Sequence, residues 1–156
     1  MLTRLLAALA CCALLPACND TTTPTTPEPP TQVTVSGRWT GDLTVQNVTG
    51  RMTWTLTQTG TSVAGPVTIA LPTGTVLLNG TLTGTLNGTS LPYTIAVAAS
   101  GVPTQPNCTG QLGGTMTVSP GTVPTMTGPI AVRSSSCSIL FSSSNFTLTR
   151  QSAIGS

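Results

Sequence analysis

From Val33 to Arg150 the chain repeats a two-residue period. Met52, Trp54 and Leu56 alternate with Thr53, Thr55 and Thr57. Leu82, Gly84 and Leu86 alternate with Thr81, Thr83 and Thr85. The same holds for Tyr93, Ile95 and Val97, for Met116 and Val118, and for Phe146 and Leu148. Such alternation places apolar side chains on one face of a strand and Thr on the other. No helical stripe of comparable length appears.

Turn signals separate these runs: Thr49-Gly50, Thr59-Gly60, Pro72-Thr73-Gly74, Asn87-Gly88 and Pro120-Gly121. Asn87-Gly88 predicts a type I′ hairpin. Apolar alternation runs through Asn79-Gly80, which predicts a bulge or bend inside one long strand. The pattern predicts about eight strands, near 35–46, 51–58, 62–71, 75–86, 90–99, 109–118, 123–132 and 138–149. Sequential antiparallel strands with short turns remove their edges by closing, so the expected fold is a single up-and-down barrel. A two-sheet β-sandwich is the alternative, because its packing produces the same alternation.

The first 32 residues follow a different pattern. Leu5 to Leu15 is an apolar run preceded by one Arg. It is too short to span a bilayer as a helix and fits the core of a secretory signal. It closes in Leu15-Pro16-Ala17-Cys18, which resembles the bacterial lipobox. The resemblance implies cleavage after Ala17 and a diacylated Cys18. It also implies a lipid-anchored protein of the cell membrane or outer membrane, facing the periplasm or the exterior. Residues 19–32, NDTTTPTTPEPPTQ, contain four Pro and no large apolar group. They read as an extended, disordered tether reaching roughly 40 Å. Residues 1–17 are thus expected to be a signal, 18–32 a tether, 33–150 the folded domain and 151–156 a disordered tail.

Cysteine usage fits export. Cys11 and Cys12 lie in the signal and Cys18 takes lipid, which leaves Cys108 and Cys137 as an even pair in an oxidising compartment. They are expected to form a disulfide.

Ser36-Gly37-Arg38-Trp39-Thr40-Gly41 resembles the G-x-W start of lipocalins and avidins. In those barrels the Trp plugs one end and an Arg from near the last strand packs over it. The resemblance gives these places to Trp39 and Arg150. The Thr/Gly-rich strands also resemble those of uncharacterised bacterial lipoproteins with β-barrel domains.

Charge limits the chemistry. Only 5% of residues are charged, and His and Lys are absent. So few groups predict no basic face for nucleic acid. Asp42 is the one carboxylate of the folded segment, since Asp20 and Glu28 fall in the tether. Paired-carboxylate hydrolysis and His-based acid–base catalysis have no residues to carry them. The Ser runs 134–136 and 142–144 have no base to activate them. The expectation is a non-enzyme without metal or cofactor. A binding module would hold a small apolar or neutral ligand against Trp54 and Tyr93, or meet an envelope protein or glycan. The alternative is a structural envelope protein with a solid barrel.

Overall fold

The computed structural model describes residues 33–45, 47–138 and 143–152. The expected signal, Cys18, the tether and residues 153–156 lie outside them. Eight strands follow one another: β1 (Gly37–Val45), β2 (Val48–Thr59), β3 (Ser62–Ala70), β4 (Val76–Thr85), β5 (Ser90–Val97), β6 (Gly110–Ser119), β7 (Thr125–Ser135) and β8 (Ser143–Arg150). Each pairs antiparallel with the next, and β8 returns to β1 through Trp39–Arg150 and Thr40–Thr149. The fold is therefore the closed up-and-down barrel and not the sandwich.

The two-residue period sets what faces inward. Met52, Trp54 and Leu56 are buried, and so are Leu91, Tyr93, Ile95 and Val97. The Thr positions form cross-strand rows on the outer wall. One row runs Asn79, Thr68, Thr53, Thr40, Thr149 and Thr125 from β4 round to β7. β-Branched Thr suits such rows, where directly opposed pairs contribute a few tenths of a kcal/mol.

Three turn expectations need correction. The first hairpin turns at Asn47, not at Thr49-Gly50: Val45 pairs with Val48, and Asn47 has φ 67°. Gly50 instead lies inside β2, where a Cβ would sit 3.0 Å from the Ile69 side chain. The fourth hairpin turns at Gly88-Thr89, between the bridged residues Asn87 and Ser90. Of this pair only Gly88 has positive φ, at 60°, the signature of a type II′ turn rather than I′. The strand does run through Asn79-Gly80, but its register shift falls at Leu77, because Ile69 pairs with Leu78 and Ala70 with Val76. A second shift, at Arg133, carries β7 beyond its expected end.

The β2–β3 hairpin recurs as β6–β7. Thr49-Gly50-Arg51-Met52 matches Thr109-Gly110-Gln111-Leu112, Thr55-Leu56-Thr57 matches Thr115-Met116-Thr117, and Gly65-Pro66-Val67 matches Gly128-Pro129-Ile130. Both ladders are interrupted at the Gly-Pro step: between Trp54–Val67 and Thr57–Ala64, and between Gly113–Ala131 and Thr117–Thr127. Pro supplies no ladder N–H there, and Gly lets the neighbouring backbone come close. A Cβ on Gly65 would sit 1.9 Å from the Thr55 carbonyl oxygen, and one on Gly128 would sit 2.3 Å from that of Thr115. These crossings bend the wall and let it close.

Gly65→Ala must therefore displace backbone. It should cost at least about 2–3 kcal/mol in urea denaturation. Gly121→Ala, at a glycine with nothing within 4 Å of its would-be Cβ, should stay within about 0.5 kcal/mol. Equal effects at the two sites would contradict the close-crossing account.

Candidate functional site

Strand alternation divides the loops between two ends. Val33–Ser36, Gly60-Thr61, Leu86–Thr89, Pro120–Pro124 and Gln151 gather at one end. The turn at Asn47, Leu71–Thr75, Ala98–Thr109 and the segment after Ser135 gather at the other.

Trp39 and Arg150 meet at the first end. Trp39 is fully buried, and its indole N–H donates to the Val35 carbonyl at 2.8 Å. The Arg150 guanidinium lies 6.0 Å from the ring centroid, and its Nη2 donates to the Ser36 carbonyl at 2.5 Å. Such a cation–π contact is worth about 0.5–2 kcal/mol. Gly37 makes room for it: with φ 124°, its would-be Cβ lies 3.2 Å from Arg150 Nε. Gln58 fixes the entering chain. Its Oε1 accepts from the Val35 N–H at 2.8 Å, and its own N–H donates to Ser36 Oγ at 2.9 Å. No sequence signal marked Gln58, a polar residue at the end of β2 that shares the inward parity of Met52, Trp54 and Leu56.

Trp54 and Tyr93 come together inside the barrel. Their rings meet edge to face at 4.9 Å, and Trp54 meets Phe146 in the same way at 5.7 Å. Aligning the two repeated hairpins places Gly114 where the first hairpin has Trp54. Tyr93 pairs with Gly114, so one half supplies bulk where the other supplies none. The Tyr93 hydroxyl donates to the Pro129 carbonyl at 2.9 Å, which satisfies an acceptor that the Gly-Pro bend leaves without a ladder partner. Trp54 Nε1 is buried with no acceptor. Burial pushes the Tyr93 phenol well above its ordinary range, and the Arg133 charge opposes this more weakly.

The second end is tied by the Cys108–Cys137 disulfide, with Cα atoms 4.9 Å apart. It joins the long β5–β6 loop to the segment after β7. A closed loop of 29 residues corresponds to about 3.5 kcal/mol of lost unfolded-chain entropy. Gln105 adds a two-way clasp: its Oε1 accepts from Ser138 N–H at 2.7 Å, and its Nε2 donates to the Ser138 carbonyl at 3.3 Å.

The outer wall carries the charge. Among the described residues there are four arginines and one carboxylate. Asp42 pairs with Arg51 at 3.6 Å, both largely exposed, so the pair contributes little to stability. Arg38, Arg51 and Arg150 nevertheless line one cleft of about 750 Å³, with Thr40, Val123, Pro124 and Gln151. The three arginines are distant in the chain, and the register of β1, β2 and β8 brings them to this cleft. Among the described residues no group of three His, Cys, Asp or Glu comes together. The arrangement can donate hydrogen bonds and positive charge to a ligand.

Comparison with known proteins finds no matching family model, curated protein or solved structure.

Tyr93 is the one tyrosine of the chain, so phenolate absorbance reports it alone. Its folded pKa is raised above the ordinary value near 10. The stability it contributes is complete below pH 10 and is lost as pH rises through the folded value. Phenolate absorbance should therefore appear only together with unfolding above pH 10, measured alongside circular dichroism. Ionisation near pH 10 with the fold intact would contradict this burial.

Proposed function

We propose that the chain is an exported bacterial lipoprotein, acylated on Cys18, whose barrel is a non-catalytic interaction module that works through its outer surface. The lipobox residues Leu15 to Cys18, the short apolar run before them and the Pro/Thr tether support the anchor. Several acyl chains at about 0.8 kcal/mol per buried CH₂ would hold it stably to the cell membrane or outer membrane.

The observation that carries the outer-surface reading is the filled interior. Trp54, Tyr93 and Phe146 pack edge to face where a lipocalin-like barrel would hold its ligand. The Gly37-x-Trp39 and Arg150 arrangement supports kinship with lipocalin- and avidin-like barrels at the level of architecture. Asp42, the one carboxylate among the described residues, is engaged by Arg51, which supports a role without catalysis.

A second reading, a small apolar or neutral ligand within the barrel, has one observation in its favour. Trp54 Nε1 is a buried donor without an acceptor, and a ligand oxygen could satisfy it.

Expression of the full chain in a bacterial host tests the anchor. The wild type should fractionate with membranes and carry a diacylglyceryl mass on Cys18. Cys18→Ala should be released or accumulate as uncleaved precursor. Cys18→Ala found in membranes at the wild-type mass would refute the anchor.

A further inference from the structure

The arginine-lined cleft lies at the barrel end where the chain enters. Val33 to Ser36 lead into β1 there, and the Ser36 carbonyl is held by Arg150 itself. Arg38 is exposed on β1, with the Asp42–Arg51 pair further along the same wall. Across the cleft stands the β6–β7 loop. Its Val123 is 60% exposed, although most large apolar side chains of the described domain are buried. Pro124 lies beside it on the cleft wall. The cleft thus pairs guanidinium groups with a projecting apolar tip. Guanidinium forks match the oxygen geometry of phosphate, and exposed Val suits the boundary between headgroup and acyl chain.

The remaining charge is placed elsewhere. Arg133 sits at the β7 bulge against the β6 glycines, and the opposite end carries the disulfide-tied loops. Arg38 and Arg150 stand at the end where β1 begins, and Arg51, held by Asp42, lines the cleft from farther along the wall toward the Leu71–Gly74 loop.

We propose that this cleft binds the phosphate of anionic lipid headgroups in the membrane that holds the anchor. The proposal rests on the lipoprotein reading for its orientation. A tether that departs from this end keeps the cleft within reach of the bilayer, and binding would seat the barrel with its disulfide-tied loops facing away. Each Arg near an anionic surface is worth about fivefold in affinity. Asp42 offsets part of this at Arg51. Arg38→Gln with Arg51→Gln should then weaken docking about tenfold.

The test uses the lipidated full chain in nanodiscs of phosphatidylcholine alone or mixed with phosphatidylglycerol. A fluorophore is placed at Val123→Cys, or at Val48→Cys near the other end, where Val48 is 52% exposed. Quenching by a soluble paramagnetic agent reads the depth of each label. The label at 123, and not that at 48, should be protected on anionic discs. Protection should vanish on neutral discs, in high salt and in the Arg38→Gln/Arg51→Gln variant. Equal protection on both lipids, protection at 48, or no effect of the double variant would overturn the proposal. Inorganic phosphate should release the docked barrel more than chloride does at matched ionic strength, because it competes for the same guanidinium groups; equal release by the two anions would assign the docking to diffuse charge and overturn the phosphate site. Intact mass reports the lipid separately. A chain without lipid refutes the anchor, and its co-sedimentation with the same anionic and neutral vesicles then decides the docking.

Discussion

Closing a sheet of Thr-rich strands into a barrel requires neighbouring backbones to cross closely at the bends, and the rest of this structure depends on those crossings. At Gly65 and Gly128 the carbonyl oxygen of the adjacent strand occupies the place of a side chain, and at Gly41 the Thr147 carbonyl does the same, 2.0 Å from a would-be Cβ. The chain thereby loses ladder hydrogen bonds at two Gly-Pro steps and gains a wall without edges. Removing edges matters here because the wall carries few charges to discourage edge-to-edge association. The β1–β8 seam completes the circuit with two residue pairs, Trp39–Arg150 and Thr40–Thr149. Trp39, Arg150, Ser36 and Gln58 reinforce the same end through side chains.

The two ends are built differently. One is shut by an indole, a guanidinium and the entering chain. The other is clasped covalently, with Cys108–Cys137 and Gln105 ordering loops too long to be fixed by turn geometry. Between them the interior is apolar: among the described residues no polar or charged residue is buried. Specific contacts are therefore left to the ends and the outer wall. The wall offers rows of Thr hydroxyls, some spent on one another as in Thr127–Thr147 at 3.0 Å, and one cleft where arginines gather. This distribution is why the proposed role is an interaction at a surface, with the barrel as the rigid carrier.

The architecture was legible because inward and outward positions are chemically distinct, apolar against Thr, and a period of two leaves no other regular element. Strand number and order followed directly, as did the Cys108–Cys137 pairing, from the two cysteines left once the expected signal and Cys18 are set aside. Glycine was the weak point. A glycine in sequence looks the same whether it turns the chain, as Gly88 does, or clears space for a neighbour, as Gly50 and Gly80 do. Only the packing partner, Ile69 or Ile95, distinguishes these roles, and that partner lies on another strand. The repeat of β2–β3 in β6–β7 was masked because Gly114 stands where Trp54 does. The arginine cleft was invisible for a related reason. Arg38, Arg51 and Arg150 are distant in the chain, and their meeting is a matter of register.

The account stands most directly on a filled interior. Native mass spectrometry of the mature chain, extracted gently from membranes, tests it. The account predicts protein that carries its covalent lipid and no stoichiometric small molecule. A small apolar or neutral molecule bound one to one, released on denaturation and lost in Trp54→Phe, would contradict it and place the binding site inside the barrel.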